Sequence, residues 1–120
     1  RSRGLGDVYK RQRLRVCFDT CHVNDAGYDL VNDYDGVFQK FDEVLGLDQI
    51  AVFHINDSLN ILGSHKDRHA KIGQGNIGLE ALSAVTNHPQ LKDLPFYLET
   101  PNELPGYKVE IALLRSLYKW

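Results

Sequence analysis

Three short apolar runs of the sequence each end on a side chain that can bind a divalent metal: Asp19, His54 and Glu99. Three more candidate ligands lie in the segments that follow the first two runs: His22, Asp67 and His69. Mixed imidazole and carboxylate sets suit Zn²⁺ or Mn²⁺, whereas Mg²⁺ prefers oxygen ligands alone. Six ligands exceed what one tetrahedral ion takes, so the pattern predicts at least two metal ions.

Clustered metal ions point to a class of chemistry. Two ions about 3.5–4 Å apart are a recurrent arrangement for the hydrolysis of phosphodiesters, since they generate a hydroxide and neutralise the charge that develops on the phosphate. Divalent ions would also add positive charge to a chain whose formal net charge is −2. The metal-loaded site would therefore attract a polyanion although the sequence itself is nearly neutral.

Strands and helices are predicted to position these ligands. Residues 14–19, 50–54 and 95–99 are rich in strand-forming residues. Apolar residues at helical spacing follow each run: Val37, Phe41, Val44 and Leu45; Leu79, Leu82 and Val85; Val109, Leu113 and Leu117. The order β-α-β-α-β-α predicts parallel strands with right-handed crossovers, and residues 56–76 between them are predicted to form a long polar loop.

The size of the chain bounds the fold class. A complete (β/α)₈ barrel needs about 250 residues, so the 120 residues of this chain accommodate three βα units. We therefore expect an α/β fold that is either the last three units of a TIM barrel, incomplete in this chain, or a small open α/β domain. In a barrel the carboxyl ends of the strands form the active site, which would bring the candidate ligands to one mouth.

Composition excludes several other classes. With 42% hydrophobic residues and 14 basic against 16 acidic ones, the chain has the composition of a soluble globular domain. No apolar run approaches the roughly 20 residues of a membrane span. The two cysteines do not make a disulfide framework, so a reducing, cytoplasmic location is expected. Residues 1–13 are basic and aperiodic, and we interpret them as an unstructured or non-native leader before a domain at 14–120.

The sequence around the candidate ligands resembles the endonuclease IV family, also called the family 2 apurinic/apyrimidinic endonucleases. The segments that carry the resemblance are Val16–His22 (VCFDTCH), Phe53–Ser58 (FHINDS), Gly63–His69 (GSHKDRH), Gly73–Gly75 (GQG) and Leu98–Pro101 (LETP). Together they extend the resemblance from about residue 14 to the end of the chain.

The resemblance implies a TIM barrel with three zinc ions that cleaves double-stranded DNA on the 5′ side of an abasic site and leaves a 3′-hydroxyl. Asp19, His54 and Glu99 are similar to the catalytic ligands of one zinc of a close pair, and they make up part of its ligand set. Three further residues are similar to the complete ligand set of the third zinc: His22, Asp67 and His69. The family's remaining ligands, two histidines and a bridging glutamate, come from earlier strands, so we expect the isolated chain to be inactive and its full-length parent to act as a monomer.

Arg68 lies between two candidate ligands, and we expect it and Asn56 to contact DNA, although an ion pair with a neighbouring ligand is an equal alternative for Arg68. Leu59 departs from the family, which usually has a basic or polar residue there. A sugar isomerase or epimerase of the related xylose isomerase-like barrels is the alternative function, and it would bind exchangeable Mn²⁺, Mg²⁺ or Co²⁺ in place of tightly held zinc.

Other features of the sequence are interpreted as structural. Gly73–Gly78 has the spacing G-x-G-x-x-G, but it follows a polar loop in place of a strand, so a tight turn into the next helix is predicted. Cys17 and Cys21 are interpreted as free thiols, and His65 and His88 as solvated loop residues.

Overall fold

The computed structural model of the chain describes residues 15–119, so the predicted leader and Leu14, where the first strand was expected to begin, lie outside the described part. The strands are β1 (Val16–Asp19), β2 (Ile50–His54), β3 (Asp57–Ser58), β4 (His69–Ala70) and β5 (Phe96–Tyr97). The helices are α1 (Thr20–Asp25), α2 (Tyr34–Val44), α3 (Leu79–Thr86) and α4 (Leu104–Leu117), with one turn of 3₁₀ helix at Leu47–Gln49.

Three strands form a parallel sheet in the order β1-β2-β5, which confirms the predicted topology. In this register Asp19 lies beside His54, and His54 lies beside Tyr97. The third strand of this sheet, β5, is shorter than predicted. It ends at Tyr97, and Glu99 lies two residues beyond it. Two of the three candidate ligands therefore end a strand, and the third needs other contacts to hold it.

A cluster of aromatic rings forms the core between the sheet and the helices. The Phe18 ring of β1 packs against Phe38 of α2 at 5.3 Å between ring centroids and against Phe53 of β2 at 5.2 Å. Phe53 in turn stacks on Phe96 of β5 at 5.2 Å. Since these strands are covered by helices, their residues are nearly all apolar, as in other parallel sheets. The core fixes the spacing of the strands and, with it, the spacing of their carboxyl ends.

The face that α4 turns inward differs in part from the predicted one, since Leu113 packs against the core but Val109 does not. Val109 is 68% exposed, whereas Glu110 beside it is buried. The Glu110 carboxylate accepts hydrogen bonds from the main-chain N–H of Ile72 and from the hydroxyl of Thr100. The prediction counted apolar residues alone, and it therefore missed a helix face on which a buried carboxylate finds donors.

One helix and one two-stranded ribbon were not predicted. The helix α1 follows β1 without a loop, and the Asp19 carboxylate caps it by accepting a hydrogen bond from the N–H of His22 at 3.1 Å. The predicted polar loop 56–76 contains the antiparallel pair β3 and β4, in which Ser58 lies opposite His69. This small ribbon brings His69 back toward the carboxyl edge of the main sheet.

A buried carboxylate organises the loop between β4 and α3. Asp57 is fully buried, and it accepts hydrogen bonds from the N–H groups of Gly73 (3.0 Å), Gly75 (3.0 Å), Ile77 (2.8 Å) and Gly78 (3.2 Å). A Cβ at Gly75 would lie 2.4 Å from the carbonyl oxygen of Ser58, so a side chain has no room there. The glycine pattern thus forms the predicted tight turn into a helix.

Among residues 15–119, no helix combines the length and apolarity that crossing a membrane requires.

We predict that Asp57→Asn lowers the free energy of unfolding by about 3 kcal/mol, because the amide loses the charge and directs N–H donors at other donors. Urea denaturation followed by circular dichroism measures this. The matched control is Asp93→Asn at an exposed position, where the change should stay below about 0.5 kcal/mol. Equal stability of the two variants would contradict the role given to Asp57.

Candidate metal centre

The three candidate ligands at the carboxyl edge of the sheet converge. The ligand atoms of Asp19, His54 and Glu99 all lie within 4.8 Å of one another. The parallel register accounts for Asp19 and His54, and the Nδ1 atom of His54 contacts the Glu99 carboxylate. The side chains are 19%, 29% and 51% exposed respectively, so the group opens to solvent on the side of Glu99.

Each oxygen of the Asp19 carboxylate has a separate environment. Oδ1 accepts the capping hydrogen bond from the N–H of His22, while Oδ2 lies 3.5 Å from Nε2 of His69. The side-chain amide of Asn56 donates to the same Oδ2 at 3.4 Å. Oδ2 therefore faces the imidazole of His69, as a metal ligand would.

A second group of ligand atoms adjoins the first. Cys21, Asp67 and His69 lie within 4.8 Å of one another, and Nδ1 of His22 lies 3.5 Å from the Asp67 carboxylate. Asp67 thus has both His22 and His69 near it, and it adopts a positive φ of 47°. Such backbone geometry costs energy in a residue other than glycine, and it is concentrated at functional sites.

His69 connects the two groups. Its Nδ1 lies 2.9 Å from the carbonyl oxygen of Glu99. Because a carbonyl can only accept, Nδ1 carries a proton, and Nε2 is the ring nitrogen that faces Asp19. Metal-binding histidines typically donate their other ring N–H to a carbonyl or carboxylate in this way.

The two cysteines are free, as predicted. Burial, and to a smaller extent the charge of Asp25, raise the pKa of Cys21, whose thiol donates to the carbonyl oxygen of Arg68 at 3.3 Å. A protonated thiol is a poor metal ligand, which favours His22 over Cys21 as the partner of Asp67. The pKa of Cys17 is also raised, first by desolvation and then by the negative charges of Asp19 and Glu99. Of these causes, the two carboxylates are the ones whose charge a bound cation would neutralise.

The two residues suggested for DNA contact differ in their exposure to solvent. Arg68 is exposed, and its carbonyl oxygen accepts a hydrogen bond from the N–H of Leu59 at 2.9 Å. Asn56 is fully buried, so its side chain has no surface for DNA. Its amide instead binds Asp19 and the main-chain N–H of Glu99. The suggested DNA contact of Asn56 is replaced by a contact within the protein.

Two features of the neighbourhood differ from, or add to, the sequence interpretation. His88 is half-buried against the Phe38 ring at 4.7 Å between centroids, so it is not a solvated residue. Asp25 was not singled out, yet it is 2% exposed and accepts hydrogen bonds from the hydroxyls of Ser58 (2.9 Å) and Ser64 (3.1 Å). No periodic pattern in the sequence around Asp25 indicates that this carboxylate is buried.

The two groups together offer the imidazole and carboxylate donors that zinc takes, arranged on one edge of a parallel sheet. Asp19, His54 and Glu99 would hold one ion, and His22, Asp67 and His69 would hold another. Three protein ligands with one open position are the usual set of a hydrolytic zinc site. The chemistry of the donors thus fits the metal that the resemblance implies.

Comparison with known proteins identifies the family of the chain. Residues 5–117 match the family of xylose isomerase-like TIM barrels. A probable endonuclease 4 of Clostridium beijerinckii is 56% identical over 115 residues, which are 96% of this chain and 42% of that protein. A probable endonuclease 4 of Methanosphaera stadtmanae is 58% identical over 108 residues, covering 90% and 39% respectively.

A solved structure shows the same arrangement of the chain. The crystal structure of endonuclease IV from Thermus thermophilus superposes with a TM-score of 0.79 at 43% identity, over 86% of this chain and 38% of that one. This chain spans about two fifths of the length of these three relatives. The chain therefore belongs to the xylose isomerase-like TIM barrel family, and within that family it is similar to the endonucleases IV.

Proposed function

We propose that this chain forms the carboxyl-terminal part of a zinc-dependent DNA-repair endonuclease that hydrolyses the phosphodiester on the 5′ side of abasic sites and leaves a 3′-hydroxyl. The observation that carries the proposal is the convergence of Asp19, His54 and Glu99 at the carboxyl edge of the parallel sheet. The names of the relatives, probable endonuclease 4, support this activity over the sugar isomerase alternative.

Each residue has a proposed role in the site. Asp19, His54 and Glu99 bind one zinc ion, and His22, Asp67 and His69 bind a second. A bound zinc ion supplies Lewis acidity and lowers the pKa of its water into the neutral range. Arg68, an exposed residue next to two of the ligands in the sequence, would bind a DNA phosphate through its guanidinium.

The proposed location and assembly follow from the same function. A DNA-repair enzyme acts on double-stranded DNA in the cytoplasm, and the two free thiols agree with a reducing compartment. We propose that the full-length protein, in which residues 14–120 are one part of the barrel domain, acts as a monomer. The remaining ligands of a three-zinc site would come from the other strands of that barrel, so the 120-residue chain alone should not cleave DNA.

We predict that the 120-residue chain binds two zinc ions when saturated, one for each ligand group, and that His69→Ala leaves about one. Elemental analysis after gel filtration gives the ratio of metal to protein. The matched control is His65→Ala, an exposed histidine of the same loop that belongs to neither group, which should keep both ions. An unchanged ratio in His69→Ala would show that His69 is not a ligand.

We predict that Glu99→Gln in the full-length protein keeps the fold and lowers cleavage of an abasic duplex by more than about 10³-fold, or about 4 kcal/mol of barrier. The amide has nearly the same shape but lacks the charge that binds the metal. The control is Glu103→Gln, an exposed glutamate four residues further along the chain, which should cleave at the unmodified rate.

The proposed function fails if the unmodified full-length protein leaves an abasic duplex intact while it isomerises a sugar with Mn²⁺ or Co²⁺. It also fails in its assignment of the site if Glu99→Gln cleaves at the unmodified rate.

A further inference from the structure

The side chain of Asn56 bonds at the same time to two of the three residues that converge at the strand ends. Its Oδ1 accepts a hydrogen bond from the main-chain N–H of Glu99 at 2.7 Å, and its Nδ2 donates to Oδ2 of Asp19 at 3.4 Å. We propose that Asn56 is a positioning residue of the metal centre, which sets the separation of the Asp19 and Glu99 carboxylates. This inference rests on the proposed function.

Glu99 needs such a contact because the sheet does not hold it. The last main-chain hydrogen bond between β2 and β5 runs from the N–H of Ile55 to the carbonyl of Tyr97, at 2.8 Å. After Ile55 the chain turns into β3, so the ladder stops two residues before Glu99. The Asn56 side chain takes the place of the next rung by binding the N–H of Glu99, while His69 binds its carbonyl.

The main chain of Asn56 is itself fixed to the residue that follows Asp19. The Thr20 hydroxyl donates to the carbonyl oxygen of Asn56 at 2.7 Å and accepts from its N–H at 2.9 Å. Both residues are fully buried, so water cannot replace either contact in the folded chain. The ends of β1 and β2 and the segment after β5 are thus joined through one asparagine.

The chemistry of the amide matches this position. Its oxygen is needed for the N–H donor of Glu99, and its NH₂ group is needed for the carboxylate acceptor of Asp19. An alanine would satisfy neither partner. Loss of a side chain that orients metal ligands typically lowers metal affinity by about 10- to 100-fold.

The test is a titration of the 120-residue chain with Co²⁺ alone, followed by the visible absorption of the bound ion, at a temperature where circular dichroism shows each variant folded. We expect Asn56→Ala to lower the affinity for one of the two Co²⁺ ions by about 10- to 100-fold and to change the affinity for the other by less than about threefold. A purely structural role of Asn56 would weaken both equivalents together.

The control is Asn87→Ala, at the residue that caps the carboxyl end of α3. The Asn87 side chain also makes several hydrogen bonds, to the carbonyls of Ser83 (2.9 Å) and Leu117 (3.0 Å) and from the N–H of Lys119 (2.6 Å). This variant should lose stability and bind both Co²⁺ ions as the unmodified chain does. A loss of Co²⁺ affinity equal to that of Asn56→Ala would overturn the inference.

A second pair of variants covers the case in which Asn56→Ala does not fold. Thr20→Val keeps the shape of the side chain but removes the hydroxyl that holds Asn56, whereas Thr20→Ser keeps the hydroxyl. We expect Thr20→Val to lower the affinity for the same Co²⁺ ion. Thr20→Ser should bind that ion as the unmodified chain does. Equal binding by the two variants would overturn the inference.

The outcomes separate this inference from the proposed function. An unmodified chain that binds no Co²⁺ overturns the proposed metal centre and the inference with it. An unmodified chain that binds two Co²⁺ ions, together with an Asn56→Ala variant that binds them equally well, overturns the inference alone.

Discussion

The parallel pairing of β1 with β2 is the constraint on which the candidate site depends. Pairing in this register places Asp19 beside His54, and the pairing of β2 with β5 carries the chain on to Glu99. The rings of Phe18, Phe53 and Phe96, one from each strand, pack in a row and hold the strands at this spacing. A slip of one residue would turn Asp19 to the other face of the sheet, and the ligand group would be lost.

Buried polar groups complete what the sheet begins. Asp57 binds the N–H groups of the glycine loop, and Asn56 beside it binds Asp19 and Glu99. These contacts satisfy both buried side chains, which a polar network must achieve to be stable. The candidate ligands, by contrast, stay partly exposed, and three of the six are carboxylates. The arrangement directs negative charge toward solvent, where a divalent cation can reach it.

The strand order and the candidate ligands could be predicted from the sequence because both depend on local patterns. Apolar runs mark buried parallel strands, and the residue at the end of such a run lies at the carboxyl edge. The inward face of α4 could not be predicted, since Glu110 is buried by donors from distant segments, including the N–H of Ile72. The role of Asn56 escaped prediction for the same reason, because its partner Glu99 lies 43 residues away in the chain. Long-range hydrogen bonds of this kind leave no periodic signal.

The central claim is that the ends of the three parallel strands form one metal site. Anomalous diffraction at the zinc edge, from crystals of this chain grown with zinc, tests it most directly. The account predicts a peak about 2.0–2.2 Å from a carboxylate oxygen of Asp19, a ring nitrogen of His54 and a carboxylate oxygen of Glu99. A zinc-saturated crystal with no peak between these three residues would contradict it.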